Sequence, residues 1–132
     1  MSILKKNIAI ILASGLGKRF GIKEPKQYLR FNNQLLLNHT IQLFLNHKKI
    51  DLILVMVNKK HKKFFNKIIH NKRVLRRYGG DSRQKSVFNG LKSIKKFNPS
   101  NVLIHDANRP FTDAKLISKI FEKLRRFKAV IP

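Results

Sequence analysis

The stretch that decides the fold is Ile8-Ala9-Ile10-Ile11-Leu12-Ala13-Ser14-Gly15-Leu16-Gly17-Lys18-Arg19. It opens with a continuous apolar run rich in β-branched residues. That is the pattern of a strand covered on both faces, as in the middle of a parallel sheet. The run passes into a loop with two glycines, which allow a tight turn and bring backbone N–H groups close to an anion. The spacing is not that of a Walker A loop, which ends in Gly-Lys-Ser/Thr. Nor is it a dinucleotide fingerprint, because Phe20 stands where the third glycine belongs. Lys5-Lys6 ahead of the run imitates a signal peptide. The run is short, however, and it enters glycines rather than a small-residue cleavage site.

Outward from this strand, the pattern alternates. Leu37, Ile41, Phe44 and Leu45 form one helical stripe, and residues 52–57 are a second buried-strand run. Residues 59–72 predict a very basic amphipathic helix with Phe64, Phe65, Ile68 and Ile69 on its apolar side. Residues 74–78 are a short strand ending at Gly79-Gly80. Asp81 or Ser82 can cap the next helix, with Gln84 near the far corner of a capping box; its expected apolar face is Val87, Leu91 and Ile94. Val102-Leu103-Ile104 is another strand, ending in His105-Asp106. Thr112 or Asp113 caps a helix carrying Leu116, Ile117, Ile120, Phe121 and Leu124, and Ala129-Val130-Ile131 begins a fifth strand. The alternation predicts an α/β fold: a Rossmann-like, open, mostly parallel sheet with right-handed crossovers. The length fits one domain with a single core and about five strands. In such sheets ligands bind beyond the carboxyl ends of the strands, and three unusual loops fall there: residues 14–26, 79–86 and 106–110.

Composition bounds the function. The 132 residues carry 30 Lys+Arg against 6 Asp+Glu, a formal charge of +24, and no cysteine. A disulfide framework and a Cys-based zinc site are excluded. A hydrophobic content of 42% argues against a disordered basic tail. No stretch approaches the roughly 20 apolar residues of a membrane span, and the expected compartment is the cytoplasm. The charge points to nucleic acid or an anionic surface. Residues 59–77 hold nine Lys/Arg and no acid, close to Phe64, Phe65 and Tyr78. Yet Lys, Asn and Ile are all abundant, the mix that AT-rich codons produce, and no base-reading motif accompanies it. A nucleic-acid-binding module is therefore the weaker reading.

The loops carry the chemistry. Arg19 and Lys26 bring positive charge to the first loop, and glycine-rich backbone with Arg and Lys suits a triphosphate. In the second loop Gly80 lets a planar ligand approach the backbone, and Ser86 can offer a hydroxyl to a base edge. Asp81 there reads equally as a helix cap, and Arg83 as a solvated first-turn residue. In the third, Asp106 ends a buried strand in a chain with few acids, so it is the strongest candidate for a Mg²⁺ ligand; magnesium takes one or two carboxylates plus phosphate oxygens and water. Arg109 can pair with Asp106 or contact a substrate phosphate. His105 can act as a base, although a His at a buried strand end is more often structural.

Four motifs stand in order: Ala13-Ser14-Gly15-x-Gly17-x-Arg19, Pro25-Lys26-Gln27-Tyr28, Gly79-Gly80-Asp81-x-Arg83-x-x-Ser86-Val87 and His105-Asp106-Ala107-x-Arg109-Pro110. With them, the chain from Ile8 to Pro132 resembles the 2-C-methyl-D-erythritol 4-phosphate cytidylyltransferase family of non-mevalonate isoprenoid synthesis. It is similar in all three loops to ribitol-5-phosphate cytidylyltransferases. The resemblance implies that Ala13, Ser14, Gly15 and Gly17 wrap the nucleotide and its phosphates, and that Arg19 and Lys26 stabilise the transition state. It implies further that Gly80 and Ser86 recognise cytosine with Asp81 beside them. Asp106 would associate with Mg²⁺ near the α-phosphate, Ala107 would line the ribose region and Arg109 would lie toward the substrate end. The implied partners are CTP and a sugar-alcohol phosphate, with no membrane or nucleic acid. Leu12 and Asn108 depart mildly from the family's usual Pro and Ala. Family members continue past this point. Their later part supplies a Thr-Lys stretch, a dimerisation arm that makes a homodimer, substrate-phosphate contacts and a second basic catalytic residue. The resemblance implies that residues 1–132 are the nucleotide-binding portion of a single cytidylyltransferase domain, truncated after about five strands as a fragment of a longer product, with fusion to a cyclodiphosphate synthase also compatible; a naturally truncated, inactive fold is the competing reading.

Overall fold

The structure is a computed structural model and describes residues 5–16 and 24–132. Gly17 and Arg19, both assigned to the phosphate loop above, lie outside the described residues. The main sheet contains β1 (Lys6–Ala13), β4 (Leu52–Val57), β5 (Val74–Tyr78) and β6 (Pro99–Asp106), in the order β5-β4-β1-β6. Every pairing in it is parallel. A separate antiparallel hairpin joins β2 (Arg30–Phe31) to β3 (Gln34–Leu35). The helices are α1 (Leu36–Leu45), α2 (Arg83–Ile94) and α3 (Ala114–Leu124).

Alternation along the strands sorts the core into two layers. Ala9, Ile11, Ala13, Ile53, Val55 and Val57 face one side, where they meet Leu37, Ile41 and Phe44 of α1 and Ile117 and Phe121 of α3. Ile8, Ile10, Leu52, Leu54 and Met56 face the other, where Ile94 of α2 covers them. Burial on both faces is why β1 and β4 read as unbroken apolar runs. The strand order reverses between β1 and β6, the topological switch point at which such sheets bind ligands. Register brings the strand ends level there: Leu12 lies beside Asp106, Ala13 beside Val57, and Val57 beside Tyr78.

Three local expectations change and one element is added. Residues 59–72 form no α-helix. A 3₁₀ segment covers Lys59–Lys67, with His61 out of helical geometry at φ −105° and ψ 24°. Lys59, Lys63 and Lys67 stand four apart with no acid between them, and like charges at that spacing disfavour an α-helix. The buried stripe of α2 is Ser86, Gly90 and Ile94, not Val87, Leu91 and Ile94; Leu91 is exposed. Gly90 explains the rotation: a Cβ there would lie 3.3 Å from Ile10 and from the Met56 sulfur, so the helix sits close on the sheet through its smallest residues. The β2–β3 hairpin is an addition, turning through Asn32 and Asn33 with φ of 50° and 64°. Both angles suit the type I′ turn that Asn favours. Finally, residues 129–131 adopt no strand, so among the described residues the main sheet has four strands rather than about five.

Candidate functional site

The loops that follow β1, β5 and β6 meet at the carboxyl edge of the sheet, and hydrogen bonds join them. Ser14 Oγ lies 2.7 Å from Ser86 Oγ, linking the first loop to α2. Ser86 Oγ accepts from Gly80 N–H at 3.0 Å. Gly79 N–H donates to Val57 O at 2.8 Å, fixing the second loop on the end of β4. Ala107 N–H donates to Leu12 O at 2.9 Å, and Thr40 Oγ1 donates to Ala107 O at 2.7 Å. The third loop is thereby tied both to β1 and to α1.

The first loop is held from two sides. Gln27 Nε2 donates to Ala13 O and to Gly15 O, each at 2.9 Å. Asn58 Nδ2 donates to the intervening Ser14 O at 3.2 Å. Gln27 belongs to the turn Lys26–Tyr28, so the same clamp brings exposed Lys26 to the glycine loop. Gly15 is exposed, and a Cβ on it would meet nothing within 4 Å among the described residues. Gly79 is the opposite case, because its Cβ would lie 2.5 Å from Ser14 Oγ and 2.6 Å from Ser86 Oγ. At Gly80 a Cβ would collide with the Lys85 side chain.

Asp106 ends β6 between two guanidiniums. Arg83 Nη2 is 3.4 Å from Oδ1 and Arg109 Nε is 3.5 Å from Oδ2. The Asp106 side chain keeps 30% of its accessible surface. Both arginines are exposed, so these pairs are weak, about 0–1 kcal/mol each. Arg109 takes the Asp106 partner foreseen as one of its two options. Arg83 is the exposed first-turn residue of α2 that one reading expected, and it also reaches Asp106. Asp81 is exposed just ahead of Ser82, and Ser82 rather than Asp81 caps α2, its side chain accepting from Lys85 N–H. His105 Nε2 donates to Arg109 O at 2.9 Å and closes the third loop, a structural use. Ser86 is only 1% exposed, so its hydroxyl acts first on Gly80 and Ser14.

Beneath the Lys26 turn, Tyr28 stacks on Phe64 at 4.5 Å and meets His61 edge-on at 5.6 Å. Burial pushes the Tyr28 hydroxyl up to about 12, against a smaller opposing effect of Arg76. Burial, then Lys63 and Lys60, hold His61 below its ordinary value. Sequence reasoning assigned no role to Gln27, Asn58 or Thr40. A polar residue directly after a buried parallel strand, as Asn58 is after β4, was the signal available for one of them.

Fold and site together define a doubly wound α/β protein whose candidate site is built from loops at the switch point. The chain belongs to the 2-C-methyl-D-erythritol 4-phosphate cytidylyltransferase family, whose model matches residues 7–132. It is 44% identical over 124 residues to a bifunctional IspD/IspF enzyme of Pelagibacter ubique, covering 93% of this chain and 33% of that protein. It is 38% identical over 126 residues to the 2-C-methyl-D-erythritol 4-phosphate cytidylyltransferase of Clostridioides difficile, covering 92% and 53%. The structure resembles 4-diphosphocytidyl-2C-methyl-D-erythritol synthase from Anaerococcus prevotii, with a TM-score of 0.75 and 29% identity over 92% of this chain and 52% of that one. The chain thus spans about half the length of its single-function relatives and a third of the bifunctional ones.

Proposed function

We propose that this chain provides the nucleotide-binding part of an enzyme that transfers the cytidylyl group of CTP to 2-C-methyl-D-erythritol 4-phosphate and releases pyrophosphate. The observation that carries the reading is the junction of the three motif loops at the switch point, through Ser14–Ser86 and Arg83–Asp106. The space beside Gly15 supports it. Neither a left-handed backbone nor a packed neighbour among the described residues requires glycine there, whereas a phosphate approaching the backbone would. Family membership favours methylerythritol phosphate over ribitol phosphate as acceptor.

In this reading Ala13, Ser14, Gly15 and Gly17 enclose the triphosphate. Gly80 faces the cytosine, Ser86 holds the Gly80 backbone in place, Asp81 lies beside them, and Ala107 borders the ribose. An oxygen of the acceptor phosphate attacks the α-phosphorus of CTP as the bond to the β-phosphate oxygen breaks. Arg19 and Lys26 neutralise the charge that moves onto pyrophosphate, so positioning and electrostatics do most of the catalysis. Arg109 lies toward the acceptor. Asp106 suits a Mg²⁺-type cation: it is one partly exposed carboxylate with weak, displaceable partners. No cluster of three His, Cys, Asp or Glu stands among the described residues, and such ions take most ligands from phosphate and water. When bound, the ion would offset phosphate charge. The reaction belongs to the cytoplasm, in a homodimer, with no membrane or nucleic-acid partner; among the described residues no helix is long and apolar enough to cross a membrane.

Calorimetry of CTP against this protein, with and without magnesium, tests the binding half. Magnesium-dependent binding that Asp106→Asn removes is expected, and absence of CTP binding overturns the reading. Pyrophosphate release with methylerythritol phosphate against ribitol phosphate tests the acceptor. Nucleic-acid binding that CTP does not compete, with a steep salt dependence, would favour the basic-module alternative.

A further inference from the structure

We infer that Gln27 and Asn58 are positioning residues that together set the backbone of the phosphate loop and its distance from Lys26. The inference rests on the nucleotide-binding reading above for its purpose, and on hydrogen-bond geometry for its mechanism.

Three consecutive carbonyls, those of Ala13, Ser14 and Gly15, each accept from a side-chain amide. The pattern alternates: Gln27 takes the first and third, Asn58 the second. No peptide among the described residues is cis. In a trans peptide the carbonyl and the following N–H point in opposite directions. Holding Ala13 O and Gly15 O toward Gln27 therefore turns the N–H groups of Ser14 and Leu16 away from it. Holding Ser14 O toward Asn58 turns Gly15 N–H the other way. Two side chains thus fix three successive N–H directions in a loop where glycine itself enforces none. The alternative, a loop that orders only on meeting the nucleotide, would charge the ordering entropy to binding.

Both amides are themselves held. Asn58 Oδ1 accepts from Lys60 N–H at 3.0 Å, which orients the amide so that Nδ2 faces the loop. Gln27 is 6% exposed and lies between Lys26 and the buried Tyr28. The residue after Lys26 on one side and the phosphate loop on the other are consequently one rigid unit. Gln27 transmits the position of the Tyr28–Phe64 stack to the loop, and Asn58 transmits the end of β4.

Two variants separate this role from general stability. Gln27→Met keeps the side-chain volume and removes both donors. Asn58→Asp keeps the acceptor for Lys60 N–H and removes only the donor to Ser14 O. Amide NMR of the whole chain reads Ser14, Gly15 and Leu16 directly, with Leu54 and Val55 in β4 reporting that the sheet is intact. Both variants are expected to shift or broaden the three loop amides and to leave the β4 pair in place. Gln27→Met is also expected to weaken magnesium–CTP binding about tenfold, the scale of two lost hydrogen bonds. CTP affinity is not compared for Asn58→Asp, whose carboxylate would repel the phosphates by itself. Loop amides unchanged in both variants would overturn the clamp, whatever happens to CTP. Failure of the parent protein to bind CTP would overturn the functional reading alone, because the loop amides still decide the clamp. If Gln27→Met does not fold, Asn58→Asp carries the test.

Discussion

Gly15 and Gly79 stand at the same edge of the sheet and are glycine for different reasons. At Gly79 any side chain would drive into Ser14 Oγ and Ser86 Oγ, at 2.5 and 2.6 Å from its first carbon. At Gly15 a methyl group would meet none of the described residues within 4 Å. Gly79→Ala is therefore expected to lower the melting temperature by several degrees, a destabilisation on the order of 1–3 kcal/mol from overpacking. Gly15→Ala is expected to melt like the parent and to lose most of its CTP affinity. Thermal unfolding beside CTP calorimetry checks both, and equal effects of the two substitutions would remove the case that the space at Gly15 belongs to a ligand. Lys26→Ala and Arg19→Ala remove the two cations proposed to stabilise the transition state. In pyrophosphate-release assays they are expected to lower turnover by on the order of 10²–10³, with a smaller change in CTP affinity. A matching loss of affinity with an unchanged chemical step would contradict a transition-state role.

The helices show which features local sequence could reveal. In α3 the apolar stripe is legible because large apolar residues recur at helical spacing, and the cap is legible as Thr112 or Asp113; the structure uses Asp113, whose Oδ1 accepts from Leu116 N–H at 2.8 Å. In α2 the stripe is misread, because its buried face is Ser86, Gly90 and Ile94, and small residues give no hydrophobic signal. The candidate site follows the same division. Motif glycines and charges stand out in the chain, whereas the Gln27–Asn58 clamp depends on elements 31 residues apart that only the fold brings together. Removing either helix cap, by Ser82→Ala or Asp113→Ala, is expected to cost about 1 kcal/mol in denaturant unfolding. A staple between the turn after α1 and α3 adds a pH dependence. His47 Nδ1 accepts from Lys49 N–H at 3.2 Å, so Nε2 carries the proton toward Ser118 Oγ at 2.9 Å. Burial, then Lys49 and Lys48, hold His47 below its ordinary 6.5. His61 is lowered in the same direction. Folding thus favours the neutral rings: their contribution is complete above 6.5 and is lost as the pH falls through the lower folded values. Melting temperature is expected to fall as pH drops from neutral toward 5, with a shallower fall in His47→Gln. An unchanged slope in that variant would assign the effect elsewhere.

At the scale of the whole molecule, the charge of +24 acts on fold and ligand with opposite signs. The two described ion pairs both end on Asp106, and both involve exposed arginines. With so few acids, most cations face other cations, so the compact state carries net self-repulsion. Salt screens that repulsion, and it also screens attraction between the protein and a polyanionic nucleotide. Raising NaCl from ~0.02 to ~0.3 M, which shortens the screening length from above 10 Å to below it, is expected to raise the melting temperature while weakening CTP binding. A protein stabilised chiefly by surface ion pairs would show a falling melting temperature instead. The size of the CTP effect then distinguishes a site from a field. A few cations close to the triphosphate, Lys26 and Arg19 among them, give a modest salt slope that magnesium reduces further by sharing the phosphate charge. Binding driven by the diffuse charge of the whole surface gives a steep slope that magnesium lowers only as any salt would, and that Lys26→Ala barely changes. Titrations of parent and Lys26→Ala across that salt range, with magnesium present and absent, therefore decide whether the basic composition has a share in recognition or only sets the background against which the three loops act.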